Sequence, residues 1–185
     1  MDATQAAGLC LIAFVLSEVF LRRGATAKSL KPTRTDRGTT LLLSACYMAV
    51  VGILFFPNLP GTVLPTAVAW VGVGAACAGL ALRWWAMIVL GRFYTRTLTT
   101  TSDQHVVAHG PYRWVRHPGY LGCLLTWVGA AAATRNVLVV VLVLVVLLLA
   151  YARRMAVEEA MLVESLGEAY VAYQRRSWRL VPFLF

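Results

Sequence analysis

The chain has 185 residues, 59% of them hydrophobic, with a mean hydropathy of +0.70 and a formal net charge of +9. A soluble domain is about half apolar, so this composition argues against a water-soluble fold and for an all-α, polytopic membrane protein. The charge by itself would suit nucleic acid, but basic residues flanking membrane spans explain it more simply, and no nucleic-acid partner is expected.

A hydrocarbon core takes roughly 20 apolar residues per helix, within about 17 to 25. Five segments approach that length: Thr4–Leu21, Thr39–Phe56, Thr66–Leu82, Gly119–Thr134 and Val137–Ala152. Asp2 stands where a signal peptide carries a basic region, and no small-residue cleavage site follows, so the first segment is expected to be retained as a span. The third is expected to continue as helix through Leu90, and the last two, joined by Arg135–Asn136, to form a tight helical hairpin. Val137–Leu149 is entirely Val and Leu, a run that more often faces lipid than a site.

The basic residues predict orientation. Arg22, Arg23, Lys28, Lys31, Arg34 and Arg37 crowd the first loop. Arg83, Arg92, Arg96, Arg113 and Arg116 follow the third span, and Arg153, Arg154, Arg175, Arg176 and Arg179 the fifth. The loop Pro57–Pro65 is uncharged, and the last interspan turn carries Arg135 alone. The positive-inside rule then places the N-terminus outside and the C-terminus in the cytoplasm. The first loop, Gly91–Pro118 and the tail from Arg153 share one side of the membrane. Cys10, Cys46, Cys77 and Cys123 fall on four different apolar segments and read as small hydrophobes.

Between the third and fourth segments stands HGPYRWVRHPGYLG, His109–Gly122. Gly110-Pro111 marks a turn, Pro118 restricts His117 to extended backbone, and Pro118 suits the first position of a helix. The amides of Gly119, Tyr120 and Leu121 are then expected to be free and, with Arg116, to attract a carboxylate or phosphate. The competing reading is an interfacial belt, with Arg113 and Arg116 as anchors and Tyr112, Trp114 and Tyr120 as its aromatics. Further on, Glu158-Glu159 is the acidic pair of a basic helix, with Arg154 at i,i+4 to Glu158. A solvated ion pair would contribute a few tenths of a kcal/mol there, whereas a carboxylate buried at the membrane surface needs a cationic or hydroxyl partner. His105, His109 and His117 lack further ligands on rigid elements, so no metal is expected. Glu18 is expected to be structural.

GPYRWVRHPGYLG followed by EEAMLVESLGEAYVAY resembles the isoprenylcysteine carboxyl methyltransferase family of integral membrane enzymes. Its pattern falls on Gly110, Tyr112, Arg116, His117, Pro118, Tyr120, Gly122, Glu158, Glu159, Leu162, Gly167, Tyr170, Tyr173 and Pro182, with LGRFYTRTL as its usual lead-in, so that the likeness runs from about Arg83 to Pro182. The resemblance implies a single domain over residues 1–185. Three spans fill 1–82; a cofactor-binding loop, a helical hairpin and a cytoplasmic helix and tail fill 83–185.

It also implies S-adenosylmethionine as cofactor, S-adenosylhomocysteine as product, and a cytoplasmic cofactor pocket. By family position, Tyr112, His117, Pro118, Gly119, Tyr120 and Glu158 bind the cofactor and Arg154 the substrate, with Arg154 and Glu158 the catalytic pair. Relatives place a cofactor-contacting His eight residues before the motif Tyr, where this chain has Gln104; His105 is the displaced candidate, with Val106 and Val107 beside it. The implied reaction is methyl transfer to a lipophilic or lipidated acceptor entering from the bilayer, among membrane lipids, the family name suggesting a prenylcysteine carboxylate. A lipid phenol, a small thiol or a phospholipid amine are the alternative acceptors. An NADPH-dependent sterol-reductase-like enzyme and a membrane scaffold or transporter component are the alternatives to methyl transfer.

Overall fold

A computed structural model describes residues 1–20, 38–55, 59–91 and 105–183. Arg22, Arg23, Lys28, Lys31, Arg34, Arg37, Arg92, Arg96 and Gln104, the ends of two expected spans at Leu21 and Phe56, and most of the LGRFYTRTL lead-in lie outside the described residues. The described residues form six α-helices and no strand: α1 (Ala3–Phe20), α2 (Thr39–Phe55), α3 (Thr66–Leu90), α4 (Pro118–Ala133), α5 (Val137–Leu166) and α6 (Glu168–Arg175). By length and composition α3 and α5 can each cross a membrane, while α1, α2 and α4 are shorter apolar helices.

Local chemistry sets the helix ends. Asp2 Oδ1 accepts the Gln5 amide at 2.7 Å and Gln5 Oε1 accepts the Asp2 amide at 3.1 Å, a reciprocal cap that starts α1. In the α4–α5 hairpin Arg135 takes a positive φ of 62°, and Asn136 caps α5 by accepting from the amides of Leu138 at 2.9 Å and Val139 at 3.3 Å. The Asn136 amide nitrogen also donates to the Leu59 carbonyl at 2.6 Å, and Arg135 Nε to that of Leu64 at 2.8 Å. The hairpin is thereby tied to the loop before α3. At the other end of α5, Gly167 adopts φ 55°, a left-handed residue that closes the helix and lets α6 turn back toward the motif.

The tightest helix contact is backbone on backbone. A Cβ on Gly79 would lie 2.6 Å from the Gly122 carbonyl oxygen, and one on Gly72 2.6 Å from that of Gly129. Two glycines seven residues apart on α3 thus meet two on α4, the close approach by which helices associate where no hydrophobic force separates them from lipid. Around this pair the core joins Phe14 of α1, Val50 of α2, Trp127 of α4 and Val139, Val143, Leu147 and Tyr151 of α5. The Val/Leu run therefore does not face lipid as a whole. Every fourth residue, Val139, Val143 and Leu147, is fully buried, while Val141, Val145 and Leu149 lie on the exposed side.

Candidate active site

The motif forms three local pieces. Gly110–Arg113 is a 3-10 turn with Pro111 in its first turn. The stretch 114–117 pairs with the C-terminal tail, with Val115 forming a parallel bridge to Trp178. Trp178 donates its amide to the Trp114 carbonyl at 2.9 Å, Arg116 to Trp178 at 2.8 Å and His117 to Arg179 at 3.2 Å. His117, at φ −123° and ψ 55°, stays out of the helical region but is not extended as expected, and it delivers the chain to Pro118, the first residue of α4. The expected row of free amides is only partly there. Tyr120 and Leu121 both donate to the His117 carbonyl at 3.1 Å, Leu121 by the ordinary i→i−4 bond of the helix and Tyr120 because the first turn tightens toward 3-10. Of the three expected amides, Gly119's is the one for which no carbonyl partner is found among the described residues.

Glu159 is the electrostatic hub. Its Oε1 accepts from Arg116 Nε at 2.9 Å and lies 3.0 Å from His117 Nε2. Its Oε2 lies 3.3 Å from Arg179 Nε and 3.4 Å from the Gln174 amide nitrogen. Burial would push this carboxyl up, but the hydrogen bonds and charges of His117 and Arg116 outweigh it and hold it down at about 2. Arg116 also donates Nη1 to the Ser177 carbonyl and, at 3.0 Å, to that of Gln174. Motif, α5, α6 and tail are thus joined through one carboxylate. Behind it the Tyr173 hydroxyl donates to the Tyr112 carbonyl at 2.6 Å, and burial pushes that hydroxyl up to about 12, so it stays a donor at any physiological pH.

Glu158 faces a different neighbour. Successive residues of an α-helix point about 100° apart, so the two carboxylates cannot share a partner set. Tyr120 donates its hydroxyl to Glu158 Oε2 at 2.8 Å and accepts from Arg154 Nε at 3.2 Å. The expected Arg154–Glu158 neighbours are therefore bridged by the Tyr120 oxygen. Arg154 is buried, 2% exposed, and its Nη1 donates to Thr39 Oγ1 at 2.7 Å and Thr40 Oγ1 at 2.9 Å at the start of α2. Toward the bundle interior, Tyr120 packs on Tyr151 with centroids 5.2 Å apart, and the Tyr151 and Tyr47 hydroxyls lie 2.8 Å apart.

Of the residues predicted from sequence, Tyr120, Arg154 and Glu158 form one continuous network, and His117 joins it through ring contact with Tyr120 at 5.6 Å. Pro118 and Gly119 lie buried at the start of α4. Tyr112 is buried and its carbonyl faces Tyr173, while His105 is exposed and Val106 and Val107 half-buried in the irregular stretch before the 3-10 turn. Sequence reasoning did not assign site roles to Glu159, Thr39 or Thr40, and it read Arg116 as an anion-attracting neighbour of the α4 amides rather than as a partner of Glu159. For Glu159 and Arg116 the motif itself was the available signal; for the threonines, more than 110 residues from Arg154 in sequence, there was none.

The model of the isoprenylcysteine carboxyl methyltransferase family matches residues 70–164. Over 159 residues the chain is 30% identical to the "Probable protein-S-isoprenylcysteine O-methyltransferase" of Oryza sativa subsp. indica, covering 82% of this chain and 83% of that one. It is 32% identical over 185 residues to protein-S-isoprenylcysteine O-methyltransferase A of Arabidopsis thaliana, covering 95% and 91%. Among solved structures it is similar to that of the eukaryotic intramembrane Ras methyltransferase isoprenylcysteine carboxyl methyltransferase, with a TM-score of 0.63 at 23% identity. That alignment covers 91% of this chain but spans only 60% of the solved one, and it speaks for the fold.

Proposed function

We propose, because the chain belongs to the isoprenylcysteine carboxyl methyltransferase family, that it transfers a methyl group from S-adenosylmethionine to a carboxylate on a lipophilic, prenylcysteine-like acceptor. The observation that carries this reading is the Arg154–Tyr120–Glu158 network, which sets a buried guanidinium beside a carboxylate at the mouth of the motif. In this reading α1–α5 all cross the bilayer within a single domain, with the N-terminus outside. Exposed Arg113, Arg153, Arg175 and Arg176 mark the cytoplasmic end, and Arg135 stands alone at the other.

The residues present suit the cofactor chemically. Glu158 can take its ammonium or ribose hydroxyls, the rings of His117 and Tyr120 a cation, and the Gly119 amide its carboxylate. Tyr112, His105, Val106 and Val107 would complete the berth from the loop side, and Pro118 from the start of α4. Bound S-adenosylmethionine supplies an electrophilic methyl group and leaves as S-adenosylhomocysteine. The protein's part is to bind, orient and exclude water. Arg154, pinned by Thr39, Thr40 and Tyr120, presents a fixed cation to an acceptor carboxylate, aligning its oxygen without removing a proton. A carboxylate is already a nucleophile at neutral pH, so no general base is required. The aromatic packing of Tyr120, Tyr151 and Tyr47 excludes water beneath the guanidinium.

Calorimetry in detergent tests the reading. S-adenosylhomocysteine should bind the wild-type protein and bind Glu158→Ala at least ten-fold more weakly. Absence of binding to wild type would overturn the proposal.

A further inference from the structure

We infer that Arg83 and Glu18, which belong to neither motif, act as a positioning pair for the first turn of α4 and so for the cofactor berth. The inference rests on the cofactor reading above. Arg83 lies on α3 one turn beyond Gly79, where the glycine contact brings α3 against α4. A Cβ on Gly122 would stand 2.8 Å from the Arg83 amide nitrogen and 2.9 Å from its Cβ. With the backbones that close, the guanidinium extends along α4 toward its N-terminus. Nη1 donates to the Gly119 carbonyl at 3.3 Å and to Cys123 Sγ at 2.7 Å. On the α1 side Nε donates to Glu18 Oε1 at 2.9 Å, Nη2 reaches the same oxygen, and the guanidinium carbon stands 5.1 Å from the centre of the Phe14 ring.

The pair is nearly closed to solvent, with side-chain exposures of 6% for Arg83 and 13% for Glu18. A buried ion pair adds little net stability, since desolvating both ions offsets their attraction, so holding three helices together is a weak account of it. The guanidinium fork satisfies a carboxylate and a backbone carbonyl at once, which the point charge of a lysine does not. The carbonyl it holds belongs to Gly119, in the turn that also bears Tyr120 and the available amide. Glu18 fixes the fork, the fork fixes the turn, and the turn sets where the berth's donors stand.

Steady-state kinetics and S-adenosylhomocysteine binding of wild type, Glu18→Gln, Glu18→Asp and Arg83→Lys in detergent decide the matter. Glu18→Gln and Arg83→Lys should raise KM for S-adenosylmethionine, and Kd for S-adenosylhomocysteine, about ten-fold. Acceptor KM should stay within two-fold and kcat within three-fold. Glu18→Asp, which retains the charge, should recover most of the loss. Folded variants whose cofactor KM and Kd match wild type overturn the pair's role, because a purely structural tie would lower yield without that split. Where Glu18→Gln gives no folded protein, Glu18→Asp alone should still show about a three-fold rise in cofactor KM, and an unchanged KM overturns the inference. Wild-type protein that binds no S-adenosylhomocysteine would instead overturn the cofactor reading beneath it.

Discussion

Replacing Glu159 by Gln should unlock the seam between motif and tail. The substitution keeps the volume and removes the charge on which Arg116, His117, Arg179 and Gln174 converge within 3.4 Å. Holding the carboxyl at about 2 rather than near its ordinary 4.5 corresponds to about 3 kcal/mol favouring the folded protein at neutral pH. Removing one partner of a buried charged cluster costs about 3–5 kcal/mol by an independent route, so both point to the same size. For a chain of this length about 1 kcal/mol shifts Tm by roughly 2–4 °C. Glu159→Gln should therefore melt about 6–12 °C below wild type, followed by tryptophan fluorescence in detergent at pH 7. Because the folded pKa lies below the unfolded one, the contribution is fully present above pH of about 4.5 and is lost as pH falls toward 2. The Tm gap should accordingly hold between pH 7 and 5 and close below pH 4.5. A gap under 2 °C at pH 7, or one that widens on acidification, would refute the hub.

Three further outcomes follow from the same contacts. Gly122→Ala, whose Cβ would meet the Gly79 carbonyl oxygen at 2.6 Å, should force α3 and α4 apart at a cost of about 1–3 kcal/mol, read as loss of the monodisperse peak in size-exclusion chromatography. Tyr173→Phe removes the donor to the Tyr112 carbonyl, and a loss of about 1 kcal/mol should weaken S-adenosylhomocysteine binding some five-fold by calorimetry. Arg154→Lys keeps the charge but loses the fork shared by Thr39, Thr40 and Tyr120, so kcat/KM for the acceptor should fall at least 100-fold while S-adenosylhomocysteine affinity stays within about three-fold.

The helices were legible because apolar length and Pro118 are local signals, and the expected α4–α5 hairpin forms at Arg135–Asn136. The split of Glu158 and Glu159 toward different partners follows from helix geometry alone once the helix is granted. What stayed hidden is held by long-range contacts. The pairing of residues 114–117 with the tail uses backbone hydrogen bonds, which any side chains permit, so no residue pattern announces it. Thr39 and Thr40 read as unremarkable helix starters until α2 is packed beside α5. The expectation of three free amides failed for a similar reason: Pro118 predicts where α4 begins but not how tightly its first turn closes on His117.

The most direct measurement incubates the purified protein with methyl-labelled S-adenosylmethionine and a farnesylated cysteine derivative bearing a free carboxylate, then treats the lipid extract with base. A methyl ester releases its label as volatile methanol, whereas a methyl ether, thioether or amine does not. Methyl transfer to the carboxylate predicts label in the lipid fraction that base releases in full, and loss of that label in Arg154→Ala. Label that resists base, or none at all from protein that binds S-adenosylhomocysteine, would contradict it.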